Sequence, residues 1–358
     1  MSKHPDKVIV AMSGGVDSSV AAGMLLEQGY DVTGVFLCLG GAGGPEGDRG
    51  AKGACCTPQD AADARRVAEA LGIDLYVLNL QEAFDGIIDD FVRQYARGRT
   101  PNPCIHCNRL IKFGRLIERA DTLGVRYVAT GHHARIVQAG GGPAVARGKA
   151  WDKDQSYALF AVPADTLGRI LLPIGEVDGK DRVRRIARGL GLNVHDKPDS
   201  QEICFVPDDD YAGLLARRAP EALRPGPIVN AAGQELGRHD GYARFTIGQR
   251  RGLRVATGVP MYVTAIDPSS AAVTIGPRQE AMGRRLKAAG ANWHADVPAA
   301  FDATVQIRYN HRGAAGRVRI ASADRFEVDF AEDVMAITPG QAAVVYEGQR
   351  LLGGGWIE

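Results

Sequence analysis

One segment near the start of the chain, residues 8–29, constrains the fold more than any other. It reads VIVAMSGGVDSSVAAGMLLEQG, which is a short apolar strand, a turn from Ser13 to Ser19 and an amphipathic run typical of a helix. Two adjacent glycines let the backbone approach a ligand closely, and the dipole of the following helix favours an anion at its N-terminus. The segment therefore predicts a phosphate site. A glycine-rich turn that only joins strand to helix is the alternative.

The spacing of this turn separates it from two commoner phosphate loops. It lacks the lysine and the wide glycine spacing of G-x-x-x-x-G-K-S/T, and it does not match G-x-G-x-x-G. Residues 13–18 read SGGVDS, which resembles the pyrophosphate loop (PP-loop) of the ATP pyrophosphatases. That resemblance implies cleavage of ATP between the α and β phosphates, with transfer of AMP to a substrate oxygen.

Short apolar runs alternate with helical ones from Val8 to about Tyr211. We predict strands in VIVAM, DVTGVFLCL, DLYVLNL and YVATG, and helices that end near Gln28 or lie near residues 60–71, 84–95, 112–123 and 183–190. This alternation predicts an α/β domain with a parallel sheet covered on both faces, where ligands lie beyond the carboxyl ends of the strands.

The pattern changes after about Ala219, where a Pro-Gly-Pro sequence at residues 225–227 marks a joint. Short strands then recur at intervals of about ten residues with Gly, Pro, Asn and Asp between them, which is typical of small β domains. We therefore predict three domains: an ATP-binding α/β domain over residues 1–219, a small central β domain over 220–285 and a β-barrel-like domain over 286–358.

Charge limits the partners that the chain can have. Its 358 residues include 43 Lys and Arg against 42 Asp and Glu, so a nucleic-acid surface must be a local patch. From Arg238 to Arg319, thirteen basic residues stand against five acidic ones, which predicts a phosphate-backbone footprint. Arginines that only solvate the outer faces of strands are the alternative.

Hydropathy and the first residues bear on location. No stretch reaches the roughly 18 apolar residues that a bilayer span needs. The start, MSKHPDKVIVAM, leaves no room for a removable apolar signal. We expect a cytosolic protein without a membrane partner.

The six cysteines are Cys38, Cys55, Cys56, Cys104, Cys107 and Cys204. In a cytosolic chain of this size they predict reduced, metal-binding or catalytic thiols. Cys104 and Cys107 stand three residues apart ahead of a helical run, where the helix dipole favours the thiolate. Buried structural cysteines are the alternative, which we favour for Cys38, while the pair at residues 55 and 56 stays open.

Two further polar clusters are candidate sites. His132 and His133 follow the strand YVA, at a carboxyl end where ligand contacts concentrate, although one of them could be a satisfied core histidine. Lys153-Asp154-Gln155 precedes the run SYALF, so the cluster is either a binding segment or a helix cap provided by Asp154 or Ser156.

These segments together resemble the tRNA-specific 2-thiouridylase family of bacteria and organelles, from Val8 nearly to the C-terminus. The landmarks are AMSGGVDSS, RTPNPCIHCNRLIKFG, ATGHHAR, KDQSYAL, KPDSQEICFV, FTIGQRRGL, IRYNHRG and TPGQAAVVYEG. SGGxDS is shared by many ATP pyrophosphatases, whereas the whole set in this order is specific. The resemblance implies that Mg-ATP adenylates the C2 oxygen of the wobble uridine in certain tRNAs, and that sulfur then replaces this oxygen with loss of AMP.

The resemblance also implies roles for individual residues. Those expected to hold ATP are Ala11, Met12, Ser13, Gly14, Gly15, Val16, Asp17, Ser18, Leu37 and Gly131, with Ser13 on the pyrophosphate and Asp17 on magnesium or the phosphates. Those expected to face tRNA are Asn102, Pro103, Cys104, His132, Lys153, Asp154, Gln155, Arg308, Tyr309 and Gln341. The expected catalytic cysteines are Cys107 and Cys204, joined by Cys104, which stands where much of the family has aspartate.

Two routes for the sulfur are open. In the first, Cys104, Cys107 and Cys204 bind a 4Fe-4S cluster whose fourth iron accepts hydrosulfide, since no fourth protein ligand is evident. In the second, Cys204 accepts sulfane sulfur from a donor protein, and Cys107 attacks or resolves the persulfide as a disulfide. The motifs leave the tRNA set, the sulfur donor and the oligomeric state open.

Two other functions compete with thiolation. One is another AMP-forming enzyme of the same loop class, such as an amidotransferase-type synthetase, a different tRNA sulfurtransferase or a lysidine-type ligase. The other is a tRNA-binding protein that uses ATP as a conformational switch, although a binding module has no use for paired low-pKa thiols.

Overall fold

A computed structural model describes residues 6–40, 57–198, 203–206 and 210–358 of the chain. The open prediction for Cys55 and Cys56 lies outside these residues. Contacts divide the chain into two compact units. Unit 1 comprises Met1–Ile87, Cys104–Asp209 and Gly348–Leu352, and unit 2 comprises Ile88–Pro103, Asp210–Glu347 and Gly353–Glu358.

Strands and helices alternate up to Ala96, as predicted, and further along the chain several helices and then several strands follow one another. In chain order they are β1 (Lys7–Met12), α1 (Val16–Glu27), β2 (Asp31–Cys38), α2 (Pro58–Leu71), β3 (Leu75–Asn79), α3 (Gln81–Ala96), α4 (Pro103–Cys107), α5 (Leu116–Thr122), β4 (Tyr127–Ala129), β5 (Ala134–Ala139), β6 (Gly142–Arg147), β7 (Ile170–Leu171) and α6 (Lys180–Gly189).

The sheet of unit 1 is parallel throughout, in the order β3-β2-β1-β4-β7, which confirms the predicted α/β class. β1 lies in the middle and is apolar, because Val8, Val10 and Met12 are buried in one cluster with side chains from α1, α2 and α6. The register pairs Met12 with Phe36 and Val10 with Ala129. The carboxyl ends of β1, β2 and β4 therefore meet at one edge of the sheet.

Two local features of unit 1 depart from the predictions. The helix expected near residues 112–123 begins instead as a π-helix over Asn108–Arg115, and α5 follows it. Such turns insert an extra residue per turn and are frequent at functional sites, but a 3.6-residue pattern does not reveal them. β5 and β6, which were not predicted, form a hairpin whose two-residue turn, Gly140 and Gly141, has positive φ at both positions.

Unit 2 is mainly β, as predicted. Its further elements are α7 (Tyr211–Arg218), β8 (Gly226–Val229), β9 (Glu235–His239), β10 (Tyr262–Asp267), β11 (Ala272–Gly276), β12 (Met282–Trp293), β13 (Ala300–Gln306), β14 (Ala314–Ser322), β15 (Arg325–Met335), β16 (Ala342–Glu347) and β17 (Arg350–Ile357), the last of which has its first three residues in unit 1. Strands β10, β11, β8 and β9 form one sheet in that order.

The remaining strands of unit 2 form a barrel. β12, β15, β14, β13, β16 and β17 follow one another, and β17 also pairs with β12 between Ala288–Ile357 and Trp293–Gly353, which closes the sheet. β12 was not predicted, and the predicted boundary between residues 285 and 286 lies inside this strand. The three domain ranges stay a prediction. In the described part of the chain, no helix is long and apolar enough to cross a membrane.

Candidate functional site

The predicted phosphate loop joins β1 to α1 in unit 1. Gly14 has φ +72°, a left-handed conformation that glycine adopts without strain, and Gly15 is extended just before α1. The Ser13 amide donates to Ser18 Oγ at 3.2 Å, and the Gly15 amide donates to Ser13 Oγ at 3.4 Å. The first amides of a helix have no partner within it, so those of α1 are available to an anion at this turn.

Gly131 lies against the start of α1, two residues after β4 ends. A Cβ at this position would be 2.6 Å from the amide nitrogen of Ser18 and 2.7 Å from the carbonyl carbon of Asp17. Both neighbours are backbone atoms, so glycine is required here by contact with the loop. Leu37 is buried one residue before β2 ends, beside the end of β1. The other predicted ATP contacts, residues 11–18, form the end of β1, the loop and the start of α1.

The Asp17 carboxylate is held by two basic groups. Lys180 Nζ donates to its two oxygens at 2.8 and 2.7 Å, and His133 Nε2 lies 3.3 Å from Oδ1. Burial alone raises the pKa of Asp17, but the hydrogen bonds from His133 and Lys180 outweigh it, so the pKa lies below 3.8. The carboxylate is therefore ionised at neutral pH. A magnesium ion at Asp17 would compete with an ion pair that is already formed.

Lys180 was not among the predicted site residues. It is the first residue of α6, far along the chain from the loop, and no motif marks it. The sequence offered only a weak local signal, because Lys180 directly follows a glycine at the start of a strongly basic run. Only the fold brings this residue to Asp17.

Both candidate histidines are buried, at 8% exposure for His132 and 4% for His133. His132 Nδ1 is 2.7 Å from Thr130 Oγ1, so these two atoms share a hydrogen bond. The backbone of His133 is fixed by Gln155, whose Oε1 accepts the His133 amide at 2.9 Å and whose own amide donates to the His133 carbonyl. That His132 faces tRNA stays a prediction; in this structure its ring is buried.

Stability should depend on pH through His132. Burial, followed by the positive charge of Lys112, lowers its pKa well below 6.5, so the native state resists a proton that the unfolded chain accepts. The unfolding free energy is then full above about pH 6.5 and falls as the pH drops toward the native pKa, by at most about 1.4 kcal/mol per pH unit. Urea unfolding of the wild type and of His132→Asn at several pH values measures this. An equally steep loss in both proteins would contradict the assignment.

The segment Lys153-Asp154-Gln155 has its own internal bonding. Asp154 forms an ion pair with Arg147 at 2.8 Å, with both side chains buried, and its Oδ1 accepts the amide of Ser156 at 3.1 Å. Ser156–Leu159 is a 3-10 helix, so Asp154 acts on it much as the capping alternative expected. Contact between this segment and tRNA stays a prediction.

The three candidate catalytic cysteines lie in unit 1. Cys104 is exposed near the start of α4, Cys107 is buried at its end, and Cys204 is partly buried. Phe205, next to Cys204, packs edge-on against Phe84 with centroids 5.6 Å apart. Among the residues that the structure describes, no three His, Cys, Asp or Glu side chains come together so as to hold a metal ion. The three thiols as placed do not fit an iron–sulfur cluster.

A path of contacts links the Cys104–Cys107 segment to the phosphate loop. The π-helix that follows Cys107 carries Phe113, whose ring centroid is 5.9 Å from that of His132. The next residue, His133, reaches Asp17. Asn108, also on the π-helix, donates to the Ala158 carbonyl at 3.0 Å, which fixes the start of these turns.

Within unit 2, Gln341 fixes the segment that leads to Cys104. Its Nε2 donates to the carbonyl of Thr100 at 2.8 Å, and the Thr100 amide donates to the carbonyl of Pro339 at 2.9 Å. Arg99 Nη2 adds a bond to the carbonyl of Ile357 at 3.0 Å. The described position of Gln341 thus orders residues 99–100, immediately before Asn102 and Pro103; contact between these residues and tRNA stays a prediction.

Arg308 and Tyr309 lie on a loop whose backbone is held by a buried side chain. The Nε2 of Gln306, a buried residue, donates to the carbonyls of Arg308 at 3.2 Å and Tyr309 at 2.9 Å. The Tyr309 side chain is 44% exposed. Arginine and an exposed tyrosine, neighbours in sequence here, are residue types that suit phosphate and an unstacked base.

The basic excess predicted for residues 238–319 is largely paired. Seven of the thirteen basic residues form ion pairs, several with acids beyond residue 319 that the sequence window left out, such as Asp329 with Arg285 and Arg319. Cross-strand pairing of β15 with β12 and β14 brings these acids to the arginines. The solvation alternative accounts for those seven, and Arg308 is not one of them.

Neutralising Arg308 should lower both the affinity for tRNA and its dependence on salt. Loss of one phosphate contact reduces the slope of log affinity against log salt by about 0.7 to 0.9. Titration of tRNA against Arg308→Gln over a range of salt concentrations measures the slope. Arg285→Gln is the matched control, since Arg285 is 87% exposed and already paired with Asp329. An unchanged slope in Arg308→Gln would mean that Arg308 makes no phosphate contact and, like the paired arginines, only solvates the protein surface.

Known families and proteins resemble this chain over nearly its whole length. Family models match residues 6–208 ("tRNA methyl transferase HUP domain"), 213–277 ("tRNA methyl transferase PRC-barrel domain") and 283–357 ("Aminomethyltransferase beta-barrel domain"). The tRNA-specific 2-thiouridylase MnmA of Carboxydothermus hydrogenoformans is 48% identical over 357 residues, covering 98% of this chain and 97% of that protein. The protein of the same name from Geotalea uraniireducens is 45% identical over 356 residues, covering 98% and 95%.

A solved structure gives a weaker likeness. The U34-tRNA thiolase NcsA from Methanococcus maripaludis, with its 4Fe-4S cluster, covers 61% of this chain and 69% of its own at 19% identity and a TM-score of 0.36, too partial a match to carry an argument. The family rests instead on the model over residues 6–208 and on the nearly full-length relatives. These matches show that the chain belongs to the tRNA-specific 2-thiouridylase family.

Proposed function

We propose that the protein is an ATP-dependent tRNA-uridine 2-sulfurtransferase, which adenylates the C2 oxygen of the wobble uridine and replaces this oxygen with sulfur. The observation that carries the proposal is that one unit holds both the phosphate loop and the three candidate cysteines, with the Phe113–His132 contact and the His133–Asp17 contact between them. Family membership supports the same reaction.

In the activation step, the uridine C2 oxygen attacks the α phosphorus of ATP, and the bond between the α phosphorus and the bridging oxygen breaks to release pyrophosphate. The amides of the loop and of the first turn of α1 stabilise the leaving pyrophosphate, because they point at the developing negative charge without reorganising. We expect Lys180, which bonds Asp17, to add a cation beside the same phosphates. Magnesium enters with ATP as part of the substrate.

In the sulfur step, AMP is the leaving group, since oxide itself does not leave. A persulfide sulfur on Cys204 attacks C2, the C2–O bond breaks and AMP departs with its oxygen. The Cys107 thiolate then attacks the Cys204 sulfur, which forms a Cys107–Cys204 disulfide and frees the thiocarbonyl. A thiol reductant resets the disulfide before the next turnover.

The persulfide route needs two thiols, and we assign these roles to Cys107 and Cys204, which both lie in unit 1. The cluster route needs Cys104, Cys107 and Cys204 together on one metal centre, and among the described residues no such group of three ligands comes together. Iron and sulfide analysis of anaerobically purified protein separates the routes: iron-free protein that still thiolates tRNA eliminates the cluster.

The test of the function is a reconstituted reaction. Purified protein, a tRNA transcript, Mg-ATP and a sulfane-sulfur donor should yield 2-thiouridine at the wobble position, detected by mass spectrometry of nucleosides, with one AMP per thiouridine. The matched control is the same transcript with cytidine at that position. AMP formation with no thiouridine would indicate another AMP-forming enzyme, and tRNA binding without pyrophosphate release would indicate an ATP-dependent switch. A cytosolic location stays part of the proposal.

A further inference from the structure

We propose that Lys197 is a positioning residue for the phosphate loop, which holds the Gly14 peptide in the orientation that ATP requires. Its Nζ donates to the Gly14 carbonyl at 3.0 Å, to Asp60 Oδ1 at 2.6 Å and to Asp63 Oδ2 at 2.7 Å. An ammonium has three donors, so all three are used. The inference rests on the proposed function, because the ligand of the loop is taken to be the pyrophosphate part of ATP.

The bond to Gly14 matters because of peptide geometry. In a planar trans peptide the carbonyl of one residue and the amide of the next point in opposite directions. A fixed Gly14 carbonyl therefore fixes the direction of the Gly15 amide, which lies in the loop. Gly14 has little other freedom, since a Cβ there would be 2.3 Å from the Asp60 carbonyl oxygen, so the loop backbone already lies against α2.

The two carboxylates hold Lys197 in place. Asp60 Oδ2 accepts the amide and the hydroxyl of Thr57 at 3.0 and 2.7 Å, which fixes Asp60 from its other side. Asp63 is 7% exposed. Burial alone raises the pKa of Asp63, but hydrogen bonds from Lys197 and Arg66 lower it below 3.8. Burial alone lowers the pKa of Lys197, but the bonds to Asp60 and Asp63 raise it above 10.5. The Lys197 ammonium and the Asp63 carboxylate are therefore both charged at neutral pH.

The backbone of Lys197 is anchored independently. Its amide donates to the Val194 carbonyl at 3.1 Å, and its carbonyl accepts from Arg184 Nη2 at 2.9 Å. Arg184 lies on α6, the helix whose first residue, Lys180, bonds Asp17. One helix thus places two lysines on the loop: Lys180 contacts the acidic side chain, and Lys197 contacts the backbone.

A set of variants separates positioning of the loop from plain stabilisation. Lys197→Met removes the cation that Asp60 and Asp63 share, so that Asp60 loses its ion pair and Asp63 keeps only its pair with Arg66, which is costly for partly buried carboxylates. The triple variant Lys197→Met, Asp60→Asn, Asp63→Asn removes those charges and keeps the fold even where the single variant loses it, but it still lacks the donor to Gly14. Lys149→Met is the control, since Lys149 forms a half-exposed pair with Glu176 at 2.9 Å.

ATP binding without tRNA, the melting temperature, and KM and kcat for AMP formation are measured for each protein. We expect the triple variant to melt close to the wild type, to bind ATP about tenfold more weakly and to raise KM for ATP by a similar factor, with kcat changed less than about threefold. Lys197→Arg, which keeps the donors, should recover most of the affinity. Lys149→Met should match the wild type.

A folded triple variant that binds ATP as tightly as the wild type would overturn the inference. So would a loss of affinity in Lys149→Met equal to that in the triple variant, because the effect would then not depend on the Gly14 carbonyl. A wild type that binds no ATP is a different result: it would overturn the proposed function and leave Lys197 as a purely structural residue.

Discussion

Replacing Gly131 with alanine is expected to abolish ATP binding. The new Cβ would lie 2.6 Å from the Ser18 nitrogen and 2.7 Å from the Asp17 carbonyl carbon, closer than such contacts allow. Neither atom belongs to a flexible side chain, so the start of α1 must move, at a cost of about 1–3 kcal/mol or more. Because the helix-start amides are the anion site, a shift of this size should weaken ATP binding by about a hundredfold or more.

Gly86→Ala is the matched control for this experiment. Gly86 lies within α3, and a Cβ at that position meets no atom within 4 Å, so the substitution should leave ATP binding unchanged and add up to about 1 kcal/mol of stability. Calorimetric titration with ATP and thermal unfolding measure both effects. Wild-type affinity in Gly131→Ala would show that the loop tolerates the displacement, and the site would then have to be placed elsewhere.

Exchange of either Cys107 or Cys204 for serine should separate the two half-reactions. The loop and Lys180 remain intact, so tRNA-dependent release of pyrophosphate should persist for a first turnover. Formation of 2-thiouridine should fall by about a thousandfold or more, because a hydroxyl neither carries sulfane sulfur nor resolves a persulfide. Single-turnover release of pyrophosphate and nucleoside mass spectrometry measure the two steps in one sample.

Two further cysteine variants sharpen this result. Cys104→Ser should still thiolate in the persulfide route, whereas a cluster on three cysteines would be lost together with its iron. Cys38→Ser is the control, since Cys38 lies at the end of β2, outside the proposed sulfur chemistry, and it should retain both steps. Wild-type thiolation by Cys107→Ser or Cys204→Ser would contradict the assigned sulfur route.

The α/β architecture could be predicted because local patterns determine it. The apolar runs of β1 and β2 and the amphipathic α2 and α6 carry their own periodicity, and the parallel sheet follows from their alternation. The π-helix after Cys107 and the long strand β12 were missed for physical reasons. An extra residue per turn shifts the side-chain pattern, and the stretch MGRRLKAAGANW lacks the apolar alternation of a strand because arginines paired across to β15 occupy its outer face.

The part of the candidate site that is contiguous in sequence could be predicted, whereas the residues that the fold brings together from distant positions could not. Ser13 to Ser18 form the loop that the glycine pair indicated, and Gly131 lies against it. Lys180 and Lys197 lie beyond residue 170 and bond the Asp17 carboxylate and the Gly14 carbonyl, which no spacing rule encodes. His132 and Asp154 are buried, and they bond Thr130 and Arg147 respectively. Such partners depend on packing and not on residue type.

The most direct test of the central claim follows the oxygen that sulfur replaces. A tRNA whose wobble uridine carries oxygen-18 at C2 is incubated with the protein, Mg-ATP and a sulfane-sulfur donor, and the AMP is analysed by mass spectrometry. If the C2 oxygen is adenylated and then displaced, one AMP that carries one heavy oxygen should form for each thiouridine made. Two results would contradict this claim. One is unlabelled AMP together with tRNA that keeps its heavy oxygen and contains no thiouridine, and the other is heavy oxygen released only as water.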